Sequence, residues 1–109
     1  MEDKELHDMV IAVIDLSKQR YEIAKNEIEY IMRNNIKDEH IIERQLDEML
    51  DVLCVYETDE ILLTFRRLCR YYFDINPQAT ADYINFYKEQ NDSEETKFGN
   101  REEDDNLER

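Results

Sequence analysis

Between about Asp3 and Asn34, apolar residues return every third or fourth position with no glycine or proline to interrupt them. One stripe runs Val10, Ile14, Ser17, Tyr21, Ala24, Ile28 and Ile31 in alternating steps of four and three, the spacing that keeps a seam on one face of a long α-helix. A second stripe of Leu6, Met9, Val13, Leu16, Ile23 and Tyr30 lies beside the first and is interrupted by Arg20 and Glu27. The combined apolar face is widest in the N-terminal half, so burial on a broad front is expected there. Asp and Glu crowd the first turn, where the helix dipole favours them.

The pattern breaks at Asn34 to Asp38, and Asp38 is placed to cap a second helix with the buried row Ile42, Leu46, Met49, Leu53 and Tyr56. The short connection predicts an antiparallel hairpin. Thr58 caps a third helix carrying Ile61, Phe65, Leu68 and Tyr72, with Leu62, Cys69 and Phe73 beside them. Asn76 followed by Pro77 is the sharpest local signal: a capping side chain, then the residue best suited to the first helical position. The fourth helix, about Pro77 to Gln90, is expected to bury Tyr83, Ile84 and Tyr87 or Phe86. The predicted fold is all-α, a four-helix bundle-like single domain over residues 1–90 with one long N-terminal helix. At ~1.5 Å per residue that helix spans roughly 45 Å, about twice any other.

Composition sharpens this picture at the C-terminus. Residues 91–109 contain Phe98 and Leu107 among acids and amides, too few apolar groups to offset the entropy of ordering, so an acidic disordered tail is expected. Its eight acids against three cations leave a charge of −9 on residues 1–90, out of −14 for the whole chain. A field of that sign repels nucleic acid and anionic lipid and attracts basic partners, so direct nucleic-acid and membrane binding are not expected. One Gly and one Pro in 109 residues exclude the turn-rich β folds. No apolar run approaches the ~18 residues of a membrane span, and the two cysteines, Cys54 and Cys69, lie on apolar helix faces without disulfide or zinc spacing. A cytoplasmic protein follows as the expectation.

Candidate chemistry is sparse. His7 and His40 belong to different helices without a second ligand at helical spacing, and Ser17 and Ser93 sit in the seam and the tail. The one glycine, Gly99, makes no phosphate loop. No catalytic, metal or cofactor site is predicted, and the chain reads as a non-enzyme. Two charge patterns remain. On the first helix Asp8, Asp15, Glu22 and Glu29 fall seven apart, with Lys4, Lys18 and Lys25 placed to neutralise some of them. On the second, Glu39, Glu43, Asp47 and Asp51 fall four apart with no cation in the row, a surface suited to receiving Lys and Arg from a basic protein. Tyr56, Tyr71 and Phe86 are the candidate apolar anchors for such a partner. Arg66, Arg67 and Arg70 are expected to pair with acids of the second helix or with the end of their own.

The stretches VLCVYETDE, from Val52, and YYFDINPQATADYIN, from Tyr71, resemble small uncharacterised proteins carried on mobile genetic elements of gut Firmicutes. The resemblance implies a genetic setting and carries no activity, although such settings favour accessory factors and inhibitors of defence enzymes. The expected function is therefore an acidic interaction protein, an accessory or inhibitory factor on the basic surface of a nucleic-acid-handling protein. The alternative is a homodimeric helical scaffold or regulatory adaptor, since the long seam offers a surface for a second copy.

Overall fold

Each connection between helices is built from residues that replace the backbone partners lost at a helix end. In the computed structural model, which describes the backbone of residues 2–98 and the side chains of residues 4–90, α1 (Glu2–Arg33) closes on Asn35 in the left-handed region at φ 53°. The Ile36 amide donates back to the Ile31 carbonyl at 3.0 Å and the Asn35 amide to that of Met32 at 3.4 Å, the paired bonds of a Schellman turn. Asp38 then caps α2 (Glu39–Val55) by accepting from the His40 and Ile41 amides. Thr58 caps α3 (Asp59–Phe73), and Asn76 accepts from the Ala79 amide at 3.0 Å to start α4 (Pro77–Phe98) on its proline. All three caps lie where the sequence places them, and no strand occurs among the described residues.

α4 is longer than expected. It passes Gln90 and continues to Phe98, because the first residue with a strong aversion to helix, Gly99, stands just beyond it. The tail from residue 99, and the side chains from residue 91, lie outside the described residues.

The core is shared by the C-terminal half of α1, α2 and α3. Ala24, Ile28 and Ile31 from α1 meet Ile42, Leu46, Met49 and Leu53 from α2 and Ile61, Phe65, Leu68 and Tyr72 from α3. Ile28, Ile42, Leu46, Met49, Leu68 and Tyr72 are fully buried. A side chain of this size stabilises by about 1.5 to 3 kcal/mol when taken wholly out of water, which is why these rows hold the hairpin together. α4 packs on α3 and on part of α2 and does not touch α1. The bundle is therefore open on one side, and Thr80 is the only fully buried side chain that the described part of α4 contributes.

Candidate functional site

Three surfaces bear on function: the acidic row of α2, the free end of α1, and the groove between α3 and α4. The acidic row differs most from its expectation. Glu39 and Glu43 both accept from the buried Tyr72 hydroxyl, and Glu39 also accepts from the Asn76 amide nitrogen at 3.0 Å. The Asp47 carboxylate lies close enough to Tyr83 of α4 to help raise that phenol. Asp51 accepts from Arg20 of α1 at 3.3 Å, while its neighbour Glu48 receives both Nε and an Nη of that guanidinium at 2.7 and 3.0 Å. No member of the row is itself a cation, yet Glu39, Glu43 and Asp51 each have a partner from another part of the fold. A residue four positions on is displaced by about 40° around the helix, so the row winds from the α3 side toward α1. Burial, and then the adjoining carboxylates, push the Tyr72 and Tyr83 hydroxyls well above the usual phenol range. Arg20 holds Glu48 below the usual carboxylate range against the opposing effect of partial burial.

The anchors proposed for a basic partner separate in the same way. Tyr56, the C-terminal cap of α2, is half-buried with the Lys18 ammonium 5.5 Å from its ring centre. Tyr71 does not project freely: it is half-buried, donates to the Ile36 carbonyl at 2.7 Å, and has Lys37 over its ring. Phe86 is 48% exposed and meets the Tyr83 ring edge to face at 5.7 Å, so it is the most open of the three. Arg66, Arg67 and Arg70 are exposed and form no ion pair with α2 among the described residues; of the two pairings expected, only the end of their own helix is met, by Arg70 in the last turn of α3. Cys69 is buried and its thiol is pushed up to about 12 by desolvation, whereas Cys54 is exposed rather than on the core face.

At the free end of α1 part of the long seam is left over by the shorter helices, one of the two arrangements its length allows. Lys18 and Arg20 sit opposite the last turns of α2, and Tyr21 and Lys25 meet Glu60 in the first turn of α3 at 3.0 and 3.3 Å. Both covering helices therefore begin or end level with residues 18 to 25. Beyond them residues 4–16 project as a stalk. Leu6, Met9, Val10, Val13 and Leu16 are each between 50% and 61% exposed, on an arc of roughly 120°. The broad burial expected of this half is not supplied by the described residues, because α2 and α3 are about half the length of α1.

The third surface is a half-open groove of about 710 Å³ between α3 and α4. Phe65, Phe73, Ile84 and Tyr87 form its apolar lining, and Arg66, Arg70 and Lys88 stand around it with one carboxylate, Asp74. Ile84 and Phe73, expected to be core, are 37% and 55% exposed at this groove. The helical period put them on the apolar face correctly; what it could not reveal is that no other element among the described residues covers that face.

Among the described residues no group of three His, Cys, Asp or Glu is placed to hold a metal ion, and no helix is long and apolar enough to cross a membrane. His7 and His40 are exposed on α1 and α2. Comparison with protein-family models, with curated proteins and with solved structures finds no match for this chain.

Proposed function

We propose that this chain is a non-enzymatic helical interaction protein that works through the apolar face of the stalk, and that a second copy of the chain occupies that face. The stalk itself carries the reading: five large apolar side chains stand half or more exposed on one helix face, while the continuation of the same helix is packed. Isolated helices of about 12 to 15 residues are marginal in water, so a projecting segment of this length gains order as well as burial from a partner. The remaining chemistry supports binding over catalysis. Glu39, Glu43, Glu48 and Asp51 of α2 are engaged by Tyr72, Asn76 and Arg20 in holding the fold together.

The test is sedimentation velocity of the full chain at tens of micromolar, expected at twice the 13.3 kDa monomer mass. Val10→Glu, which buries a charge in the contact and touches no core residue, is expected to return a monomer with unchanged helix content. A wild-type monomer at 100-fold higher concentration than the dilute limit of the experiment removes the self-association reading.

A second contact, with the basic surface of a nucleic-acid-handling protein, is favoured by the exposed side chains of Asp47 and Asp51 together with the charge of −9 over residues 1–90. An accessory or inhibitory role follows if that contact blocks the partner's own ligand. Its binding should weaken above ~0.1 M salt, where the screening length falls to about 10 Å. Equal capture of the same basic partner by wild type and by an Asp47→Asn, Asp51→Asn variant at matched salt removes these acids from the contact.

A further inference from the structure

From Leu6 to Tyr30, α1 carries a second apolar row that the fold leaves open. Leu6, Met9, Val13, Leu16, Ile23 and Tyr30 are each between 50% and 67% exposed, so the row does not stop where α2 and α3 begin to cover the helix. With Arg20 and Glu27 it advances in unbroken alternating steps of three and four, the spacing of a helix that pairs with another helix. On a straight helix such a row drifts by about 20° per heptad, which a left-handed crossing of two helices takes up. Its six apolar side chains leave roughly 600 Å² open on one copy, so two copies supply about 1,200 Å², the lower edge of the range for stable interfaces.

We propose that two copies pair antiparallel along this row, with the two-fold axis at the level of Lys18, so that the stalk of each runs along the packed half of the other's α1. This rests on the self-association proposed above and fixes its register. Setting Leu6 against the partner's Tyr30 also sets Met9 against the partner's Glu27, Val13 against the partner's Ile23 and Leu16 against the partner's Arg20, so every member of the row is matched. Sliding by one heptad leaves members of the row without a counterpart. A parallel pair would bring Arg20 onto Arg20 and Glu27 onto Glu27. The antiparallel one separates these like charges and brings Glu5 beside the partner's Arg33 at both ends, residues that form no ion pair among the described ones. The acids Asp8, Asp15, Glu22 and Glu29 lie about 100° or more from the centre of the row and stay in water.

The extra width of the stalk finds cover in the same arrangement. α2 flanks α1 on the side where Arg20 reaches Glu48, and Ile41, seven positions before Glu48 on that face, is 38% exposed. The incoming stalk lies along this border with its Val10 turned toward α2. The packed half of α1 therefore has two apolar faces with separate tasks: one holds the chain's own core, and the other receives a stalk. A two-fold axis closes the assembly, because each copy gives one stalk and receives one.

The experiment uses the full chain with Cys54→Ser, which removes the exposed thiol, and adds one cysteine at a time. Gln19→Cys, on the exposed flank of the row beside the axis, is expected to give a disulfide-linked dimer on mild oxidation. Ala12→Cys faces the partner's Asn26 and is expected to stay unlinked until Asn26→Cys is added. In sedimentation Ile23→Glu, at a position 67% exposed and outside the core, should weaken dimerisation by about 100-fold, with helix content at dilution unchanged. An Ile23→Glu chain that dimerises like wild type, or a dimeric Gln19→Cys chain that does not link, overturns the pairing while the self-association reading survives. Self-linked Ala12→Cys overturns it too, and identifies stalk against stalk as the contact. A monomeric wild type overturns both.

Discussion

The seam of α1 is continuous in sequence, yet its two halves meet different surroundings. From Ser17 to Ile31 it lies in the core, with Ile28 at 0% exposure, while Val10 in the same seam is 55% exposed. Helical spacing does not distinguish them, because the steps of four and three run unbroken through both halves, although Leu and Val occur only in the free one. The covering helices do. α2 ends at Val55 and α3 starts at Asp59, so their common corner sits beside Lys18 to Lys25 and nothing in the described chain continues past it. An amphipathic face therefore specifies that a helix needs a partner without specifying whether the partner belongs to the same molecule.

The comparison can be broken most directly in the core. Ile28→Ala should destabilise the chain by about 2 to 4 kcal/mol in urea unfolding, through lost burial and the cavity left behind. The same kind of truncation in the free half, Val10→Ala, should change the stability of dilute monomer by less than about 0.5 kcal/mol. Equal effects at the two positions would mean that the stalk is already covered within the monomer.

The cover over the packed half depends on α3 holding its place against α2, and Tyr72 is the polar pin between them. Tyr72→Phe keeps the ring but removes the donor to Glu39 and Glu43, so a loss of about 1 to 2 kcal/mol is expected. Dimerisation should persist in this variant at concentrations where it remains folded, because the stalk is untouched.

Arg20 marks the border between the halves. Arg20→Met should cost about 0.5 to 1 kcal/mol near neutral pH, a modest figure because the Arg20 and Glu48 side chains are both about one third exposed. Glu48 has a folded pKa below its ordinary 4.5, so its contribution is present above that value and lost as pH falls through the lower, folded one. The gap between wild type and Arg20→Met should accordingly narrow in acid below about pH 4.5, as read from urea midpoints. A gap that stays constant down to pH 2 would show that the guanidinium acts by packing alone.

A small effect is expected at the turn that sets the packed half against α2. Asn35 already adopts the left-handed conformation, which glycine enters without a Cβ penalty, so Asn35→Gly should stabilise slightly, by about 0.5 kcal/mol, and Asn35→Ala should destabilise by about 1 kcal/mol. Thermal melts of the two variants would separate backbone geometry from side-chain packing at this corner.

Much of the fold was legible in the residues because its signals are local. Asp38, Thr58 and Asn76 cap the helices they precede, Pro77 opens α4, and the rows Ile42, Leu46, Met49, Leu53 and Ile61, Phe65, Leu68, Tyr72 are buried as their spacing predicts. A cap needs only backbone amides two or three residues away, and a helical row needs only its own period, so neither waits on the rest of the chain. What tertiary structure decided depends on which helix lies opposite. It turned acids of α2 onto Tyr72 and Arg20, held Tyr71 against Ile36, left Arg66 and Arg70 exposed beside a groove, and ended the cover over α1 at Lys18. Hydrophobic burial is non-directional, and a charge accepts any donor within reach. Partners for such groups are therefore set by where three short helices and one long one come to rest, and that arrangement leaves the stalk and the groove uncovered.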